Sequence, residues 1–340
     1  MGETLKLVHY YVIGNMKVSF LYREARAVGF SVEEVFRNVR SCLPSFIEQQ
    51  EWYVDGTQSR WSNLLTVHSL NSDLYHVTGD CNYLALNLPS SRTILTVLDV
   101  GHYEVTLKGF KKYLYGKLWW DFPLRKAGRI TAISSYTKER VQKNFGIKAD
   151  KIHVIYCPLP QGFSYSPGEF NSAEPRILQI GGGRNKNVER LIEAVAGISC
   201  KLVLVRKVSE QLKHRMEELN ISYEEHSGVS RDQLMRLYQT CDLLYFASTY
   251  EGFGLPIVEA QLTGRPVITS RVASMPEVAG DSAILVNPLE VQDIRKAILS
   301  LTGSPQLVKE LVEKGQKNIE RFNTASIAQQ YADLYRLPIM

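Results

Sequence analysis

Two strings in this chain combine residue types and spacings from which ligand chemistry can be built. The first, QIGGGRNKN (179–187), is a glycine-rich turn between a strand-like and a helix-like segment. Glycines such as Gly182 and Gly183 let backbone N–H groups approach a ligand closely, and a helix start carries partial positive charge. Arg184 and Lys186 add two full charges, so the string outlines a diphosphate site. It is not the dinucleotide fingerprint, because Lys186 stands where G-x-G-x-x-G needs its third glycine, and no G-x-x-x-x-G-K-[ST] occurs anywhere. Taken alone, it reads equally as a tight turn with solvated basic residues.

The second string, STYEGFGLPIVEA (248–260), follows a predicted strand. Glu251 falls in the loop, Gly252 and Gly254 free the backbone around Phe253, Leu255 and Pro256 open a helix, and Glu259 lies about one turn into it. A carboxylate at such a place accepts hydrogen bonds from sugar or ribose hydroxyls, while free N–H groups face phosphate. Either Glu alone suits an ordinary capped helix with a surface acid; the whole string suits a ligand site.

These strings need a scaffold that brings strand ends together. RILQI (176–180) reads as a buried strand, Val188, Leu191, Ile192 and Val195 repeat at helical spacing, and KLVLV (201–205) is the next strand, making a βαβ unit. Ser230 with Gln233 forms a capping box opening a helix that bears Leu234, Leu237 and Tyr238, and the strand DLLYFAS (242–248) follows. A helix from Pro256, strands PVITS (266–270) and AILV (283–286), and a helix bearing Val291, Ile294, Ile298 and Leu301 and stopping at Gly303 continue the alternation. Such a pattern means a parallel sheet covered by helices, and in an open α/β sheet ligands bind at the strands' carboxyl ends. In the first half, KLVHYYVIG, DLYHVTG (73–79), RTILTVLDV (92–100) and RITAIS (129–134) are the candidate strands of another such sheet.

The 340 residues predict about two domains. The Pro-, Gly- and Ser-rich segment 157–175 is the expected linker, dividing the chain into 1–165 and 166–323. The last helix, with Ile327, Tyr331, Leu334 and Tyr335 on one face, either finishes the second domain or crosses back onto the first. With 44% hydrophobic and 22% charged residues, the composition excludes disordered, collagen-like and coiled-coil classes. A net charge of +5 is too small for a dedicated nucleic-acid binder. Five widely spaced cysteines, Cys42, Cys81, Cys157, Cys200 and Cys241, without a C-x-x-C pair, argue for a reducing compartment and against zinc. No apolar run approaches a spanning helix, the start lacks a leader pattern, and Lys6 stands where a myristoylation signal after Gly2 wants Ser or Thr, so a cytoplasmic protein is expected.

E-G-F-G-L-P-I-V-E resembles the E-x7-E signature of family 4 retaining glycosyltransferases. SYTKERVQKNFGIKADKIHVI (135–155), GGGRNKN, VSRDQLMRLYQTCDLLYFAS, GRPVITS and SMPEVAGDSAILVNP are similar to the same family's consensus, in order, over about residues 92–322. The resemblance implies the GT-B fold of two facing Rossmann-like domains, and transfer of a sugar from a nucleotide diphosphate sugar to an acceptor with retained anomeric configuration. It implies that Glu259 binds the donor ribose. It also implies that Glu251 and the backbone of Gly252 to Leu255 meet the transferred sugar and diphosphate, and that Lys186 binds phosphate. The family's arginine usually stands several residues earlier, which weakens the match at Arg184. The family is metal-independent, and the chain has no D-x-D string or ligand-spaced His/Cys cluster, so no cofactor and no metal are expected.

The acceptor side falls in the first half. Many relatives carry a His-Asp pair where TVLDVGHYE (96–104) has Leu98 before Asp99; His102, three residues beyond Asp99, and His76 are the candidate replacements, although a lone histidine at a strand end is more often structural. GFKKYLYGKLWWDFPLRKAGR (109–129) interleaves Tyr113, Tyr115, Trp119 and Trp120 with Lys111, Lys112, Lys117, Arg125 and Lys126, which suits either contact with the inner face of an anionic membrane and a lipid-linked acceptor, or a helix with its aromatic side in the core. The expected activity is hexosyl transfer to a glycan or lipid-linked acceptor in cell-envelope polysaccharide or lipopolysaccharide synthesis. A nucleotide-sugar epimerase or hydrolase, or a non-catalytic nucleotide-sugar-binding subunit, are the alternatives.

Overall fold

The computed structural model describes residues 15–23 and 32–337. Strands β1 (Met16–Tyr22), β2 (Ile47–Tyr53), β3 (Leu74–Val77), β4 (Thr93–Val97), β5 (Arg129–Ala132) and β6 (Ile152–Val154) form one six-stranded sheet in the order 2-1-3-4-5-6. Strands β7 (Arg176–Ile180), β8 (Lys201–Val205), β9 (Ser222–Glu225), β10 (Leu243–Phe246), β11 (Val267–Ser270) and β12 (Ala283–Val286) form a second, in the order 12-11-10-7-8-9. Every pairing in both is parallel. Parallel strands need crossovers, and helices covering both faces explain why β3, β4, β5, β10 and β11 are buried along their whole length. The architecture is the two-sheet GT-B arrangement.

In the second sheet β7 and β10 are neighbours, with Leu178 opposite Leu244 and Gln179 opposite Tyr245. Chain order reverses between them, so their outgoing loops diverge and leave a crevice at the carboxyl edge. QIGGGRNKN follows β7 and STYEGFG follows β10, which puts both strings at that one point.

Most of the expected elements are present, including the Ser230–Gln233 capping box and a helix over Val188–Val195 whose four periodic positions are buried. KLVHYYVIG lies outside the described residues, and the first strand described is MKVSFLY, immediately after it. β2 and β9 escape a hydrophobic-pattern reading because they are edge strands with polar sequences, IEQQEWY and SYEE. Such strands are held by ladder hydrogen bonds rather than by burial.

The last helix, Thr324–Arg336, packs on the first sheet. Its Tyr331 and Tyr335 are buried, and Arg129 of β5 donates to the carbonyls of Leu334 (2.7 Å) and Leu337. His76, which the sequence offers as a cleft histidine, is instead the centre of this packing. It is fully buried among Phe20, Phe36, Tyr331 and Tyr335, with Nδ1 bonded to Tyr335 Oη and Nε2 to Thr96 Oγ1, both at 2.7 Å. The physical reason is its place in the middle of a strand covered on both faces, not at its end.

Burial of His76 pushes its pKa down from 6.5 to about 3. The folded state therefore holds it neutral while the unfolded chain gains a proton below 6.5, so this contribution to stability is complete above 6.5 and is lost as pH falls towards 3. Thermal unfolding between about pH 7 and about pH 4 is expected to show a shallower acid-side decline in His76→Gln than in the wild type; parallel declines would contradict the assignment.

Candidate functional site

The β7 loop closes through a 3-10 turn, Arg184–Lys186, into the helix Val188–Val195. Asn187 makes this possible by adopting φ 59°, a conformation asparagine tolerates, while its buried amide donates to the carbonyls of Pro288 (2.6 Å) and Ala247 (3.2 Å). The turn is thereby tied to the end of β10. Across the crevice Lys186 Nζ meets Glu251 Oε1 at 2.5 Å, with the Phe246 ring 4.8 Å from the ammonium. Asn185 Nδ2 donates to the Tyr250 carbonyl (2.9 Å) and to Glu251 Oε1 (3.3 Å), and Thr249 N–H donates to Asn185 O (2.8 Å). A cation and a carboxylate are thus held between the two loops, both side chains mostly but not wholly shielded.

Gly254 sits at φ 107° as N-cap of the helix Leu255–Thr263, with Pro256 in its first turn. L side chains rarely take that conformation, and it aims the helix start at the crevice. Glu259 lies ~6 Å along the helix axis from Leu255. It is 8% exposed, and its Oε2 accepts from Tyr238 Oη at 2.6 Å. Burial raises its pKa; the Tyr238 hydrogen bond and nearby Arg231 pull it back. Phe253 offers this region only its backbone, since its ring packs on Phe322 and Tyr156.

Arg184 does not join Lys186. A 3-10 turn rotates side chains by about 120° per residue, so positions two apart leave in different directions. Arg184 is exposed and lines a groove with Glu189, Glu193 and His214, between the helices Val188–Val195 and Glu210–Glu218. Gly182 and Gly183 are exposed in the same loop.

The first domain meets this crevice with the carboxyl ends of β4 and β5. Ser134 Oγ donates to the Gly252 carbonyl at 2.7 Å, and a carbon added at Gly252 would stand 2.1 Å from the Leu98 carbonyl oxygen. Position 252 has no room for a side chain because another domain's backbone occupies the space. Glu277, on the helix Met275–Ala279, accepts the N–H groups of Ser135 (2.8 Å) and Tyr136 (3.2 Å) and the hydroxyl of Tyr156 (3.0 Å). A carboxylate of one domain thereby caps the helix Ser135–Phe145 of the other, the favourable end for negative charge.

Asp99 is open to solvent yet surrounded by protein. Its Oδ1 accepts from Gly101 N–H at 2.7 Å, and its pKa is raised by desolvation and then by Asp80 and Glu251, against a lowering by Gly101 and Lys186. It is therefore within electrostatic reach of the Lys186–Glu251 pair. Beyond it lies a pocket of about 590 Å³ lined by His102, Asp80, Asp55, Arg60, Tyr115 and Trp119, among others. His102 is exposed there, edge-on to Tyr115 at 5.4 Å. Aromatic faces with carboxylates and amides around them suit a sugar ring, whose apolar face stacks while its hydroxyls are hydrogen-bonded. Sequence reasoning passes over Asn185, Tyr238, Tyr250 and Glu277, because their partners lie 21 to 142 positions away. Asn185 and Tyr250 had a local signal, standing inside the two strings already singled out.

Gly252→Ala is expected to push the β10 loop off the end of β4, since backbone atoms cannot yield cheaply. Small-angle scattering should give a larger radius of gyration than for the wild type; an unchanged value would show that this contact does not set the spacing of the domains.

Residues 166–318 match the family described as Glycosyl transferases group 1, and residues 18–160 match Glycosyltransferase Family 4, which together span most of the chain. Among curated proteins, the MMP alpha-(1->4)-mannosyltransferase of Mycolicibacterium hassiacum is 29% identical over 254 residues, covering 65% of this chain and 60% of that protein. The serotype-specific mannosyltransferase WbdA of Escherichia coli is 27% identical over 284 residues, covering 74% of this chain and 34% of its own length. The chain thus spans less than two thirds of either relative. Among solved structures, Anabaena Alr3699/HepE in complex with UDP and glucose superposes with a TM-score of 0.75 at 18% identity, over 94% of this chain and 99% of that one. WaaG, a glycosyltransferase involved in lipopolysaccharide biosynthesis, superposes at 0.68 and 16% identity, over 94% and 99%. At such identities these two likenesses carry the fold alone.

Proposed function

Because this chain belongs to glycosyltransferase family 4 and has the GT-B fold, we propose that it moves a hexose-type sugar from a nucleotide diphosphate sugar to a glycan or lipid-linked acceptor, with retention of anomeric configuration. The observation that carries the reading is the Lys186–Glu251 pair at 2.5 Å beside the start of the helix Leu255–Thr263. Breaking the bond between the anomeric carbon and the diphosphate oxygen leaves negative charge on the phosphate and positive charge on the sugar carbon. Lys186 and the helix start stabilise the first; Glu251, released by Lys186 as phosphate arrives, holds the sugar's hydroxyls. In this reading the leaving phosphate oxygen takes the acceptor's proton as the new glycosidic bond forms on the same face. Charge compensation comes from the protein rather than from a metal ion.

Glu259 accepts the ribose hydroxyls, and the backbone from Gly252 to Leu255 takes the diphosphate. Asp99 orients the incoming hydroxyl, and the pocket with His102, Tyr115 and Trp119 takes the acceptor. The relatives named for mannosyl transfer, one of them serotype-specific, support an envelope-polysaccharide role. A lipid-linked acceptor places the enzyme at a membrane surface.

Lys186→Ala is expected to lower kcat/KM by about 10²–10³-fold with the melting temperature little changed, and excess EDTA to leave wild-type transfer intact. Transfer retained in Lys186→Ala, or abolished by EDTA and restored by a divalent cation, would overturn the charge assignment. Incubation with nucleotide sugar alone separates transfer from epimerase or hydrolase chemistry, since a transferase leaves the donor essentially unconsumed without acceptor. Because Glu259 titrates above the ordinary carboxylate range, donor affinity should weaken on acidification sooner than an exposed glutamate would require. Tyr238→Phe removes the hydrogen bond that lowers that pKa, so the loss should move to still higher pH; an unmoved titration would take Glu259 out of the donor site.

A further inference from the structure

The helical stretch Gly109–Lys126, three consecutive segments, two α-helical with a π-helical turn between them, runs from beside the acceptor pocket back to the start of β5. Its inner side does ordinary structural work. Trp120 and Leu124 are buried in the core of the first domain, and Tyr115 and Trp119 stack on each other at 5.6 Å while lining the acceptor pocket.

Its outer side is apolar as well, which nothing in the fold requires. Phe110 is 76% exposed, and Tyr113, Leu114, Leu118 and Phe122 are each about half exposed or more. Val105 is exposed just before it. On the helix Arg60–His68, whose Arg60 guanidinium lies 4.9 Å from the Trp119 ring centre, Trp61 and Leu65 are 76% and 71% exposed. Seven of the fourteen large hydrophobic residues exposed among the described residues thus lie on two neighbouring segments, with Val105 beside them as an eighth. Soluble monomers rarely leave so much apolar surface together.

Charge identifies what covers it. Lys108, Lys111, Lys112, Lys117, Arg125 and Lys126 border the apolar residues, while the acids of this stretch are already engaged: Glu104 by Arg140, and Asp121 by both Lys117 and Arg125 at 2.6 Å. Beyond the helix end, Lys148 and Lys151 line a further open cavity together with Arg125 and one acid, Asp150. Protein interfaces are depleted in lysine at their core, whereas interfacial membrane helices combine Phe, Leu and Trp with a lysine-rich border.

We infer that the outer faces of these two segments form a docking surface for an anionic lipid bilayer, and that the enzyme's acceptor is a saccharide on a lipid anchor delivered from that surface. The same residues argue the second step, since Arg60, Tyr115 and Trp119 line the acceptor pocket from the very helices whose other sides are apolar. A bilayer under Phe110, Leu114 and Leu118 places a headgroup-linked sugar at the pocket's edge. The substrate class rests on the proposed transferase activity; the docking surface does not.

The test is co-sedimentation of the whole protein with phosphatidylcholine vesicles, with and without phosphatidylglycerol, at low and high salt. The wild type should bind the anionic vesicles, less strongly at high salt. Phe110→Ser/Leu114→Ser/Leu118→Ser should lower the partition coefficient by at least about tenfold. The same variant should keep wild-type donor affinity and transfer to a short soluble saccharide, and lose its advantage on a lipid-linked one. No binding by the wild type, equal binding by the variant, or a concentration-dependent dimer that the variant abolishes would each overturn the docking surface. Vesicle binding by a protein that transfers no sugar would support the surface and overturn only the activity.

Discussion

The contact on which the rest of this structure depends is the approach of the Gly252 loop to the Leu98 carbonyl, reinforced by the Ser134 hydroxyl on the Gly252 carbonyl and by Glu277 on the first N–H groups of the helix Ser135–Phe145. A parallel sheet gathers its ligand-binding loops at one edge, because every strand runs the same way. One such edge makes half a site. Two domains that bring those edges together can enclose a ligand between them, and here backbone atoms, the Glu277 carboxylate and apolar packing such as Phe253 on Tyr156 all join them.

Within the enclosure, electrostatics are arranged by position more than by number. Lys186 and Glu251 come from different loops and meet because β7 and β10 are adjacent in register. Asn187 and Asn185 lock one loop to the other. Asp99, from the opposite domain, has its pKa raised chiefly by desolvation, with Glu251 and Lys186 as smaller, opposed influences. The charges that matter to the proposed chemistry therefore come from three loops and two sheets, and none depends on the excess of basic residues in the chain as a whole.

The first domain joins two jobs in one element. The Gly109–Lys126 stretch closes the core with Trp120 and Leu124, lines a pocket with Tyr115 and Trp119, and leaves Phe110, Leu114 and Leu118 in water. Hydrophobic periodicity cannot resolve such a helix into an inside and an outside, because both sides are apolar. The last helix shows a similar economy: Tyr331 and Tyr335 of the chain's end complete the aromatic cage around His76 in the first sheet, so the two halves of the sequence are stitched twice.

The sequence by itself determined most of the second sheet apart from its edge strand β9, since the buried strands are mainly apolar and helices such as Val188–Val195 and Arg231–Thr240 carry periodic faces. It also picked out the two strings that meet at the crevice, because glycines, a lysine and two glutamates at those spacings follow strand ends. Only the tertiary structure decided that Arg184 leaves the site while Lys186 stays, that Tyr238 holds Glu259, and that His76 is core while His102 faces a pocket. Spacing along a strand or helix is local geometry and is written in neighbouring residues. The direction in which a side chain leaves a turn, and what waits for it across a gap, depend on atoms contributed by distant parts of the chain.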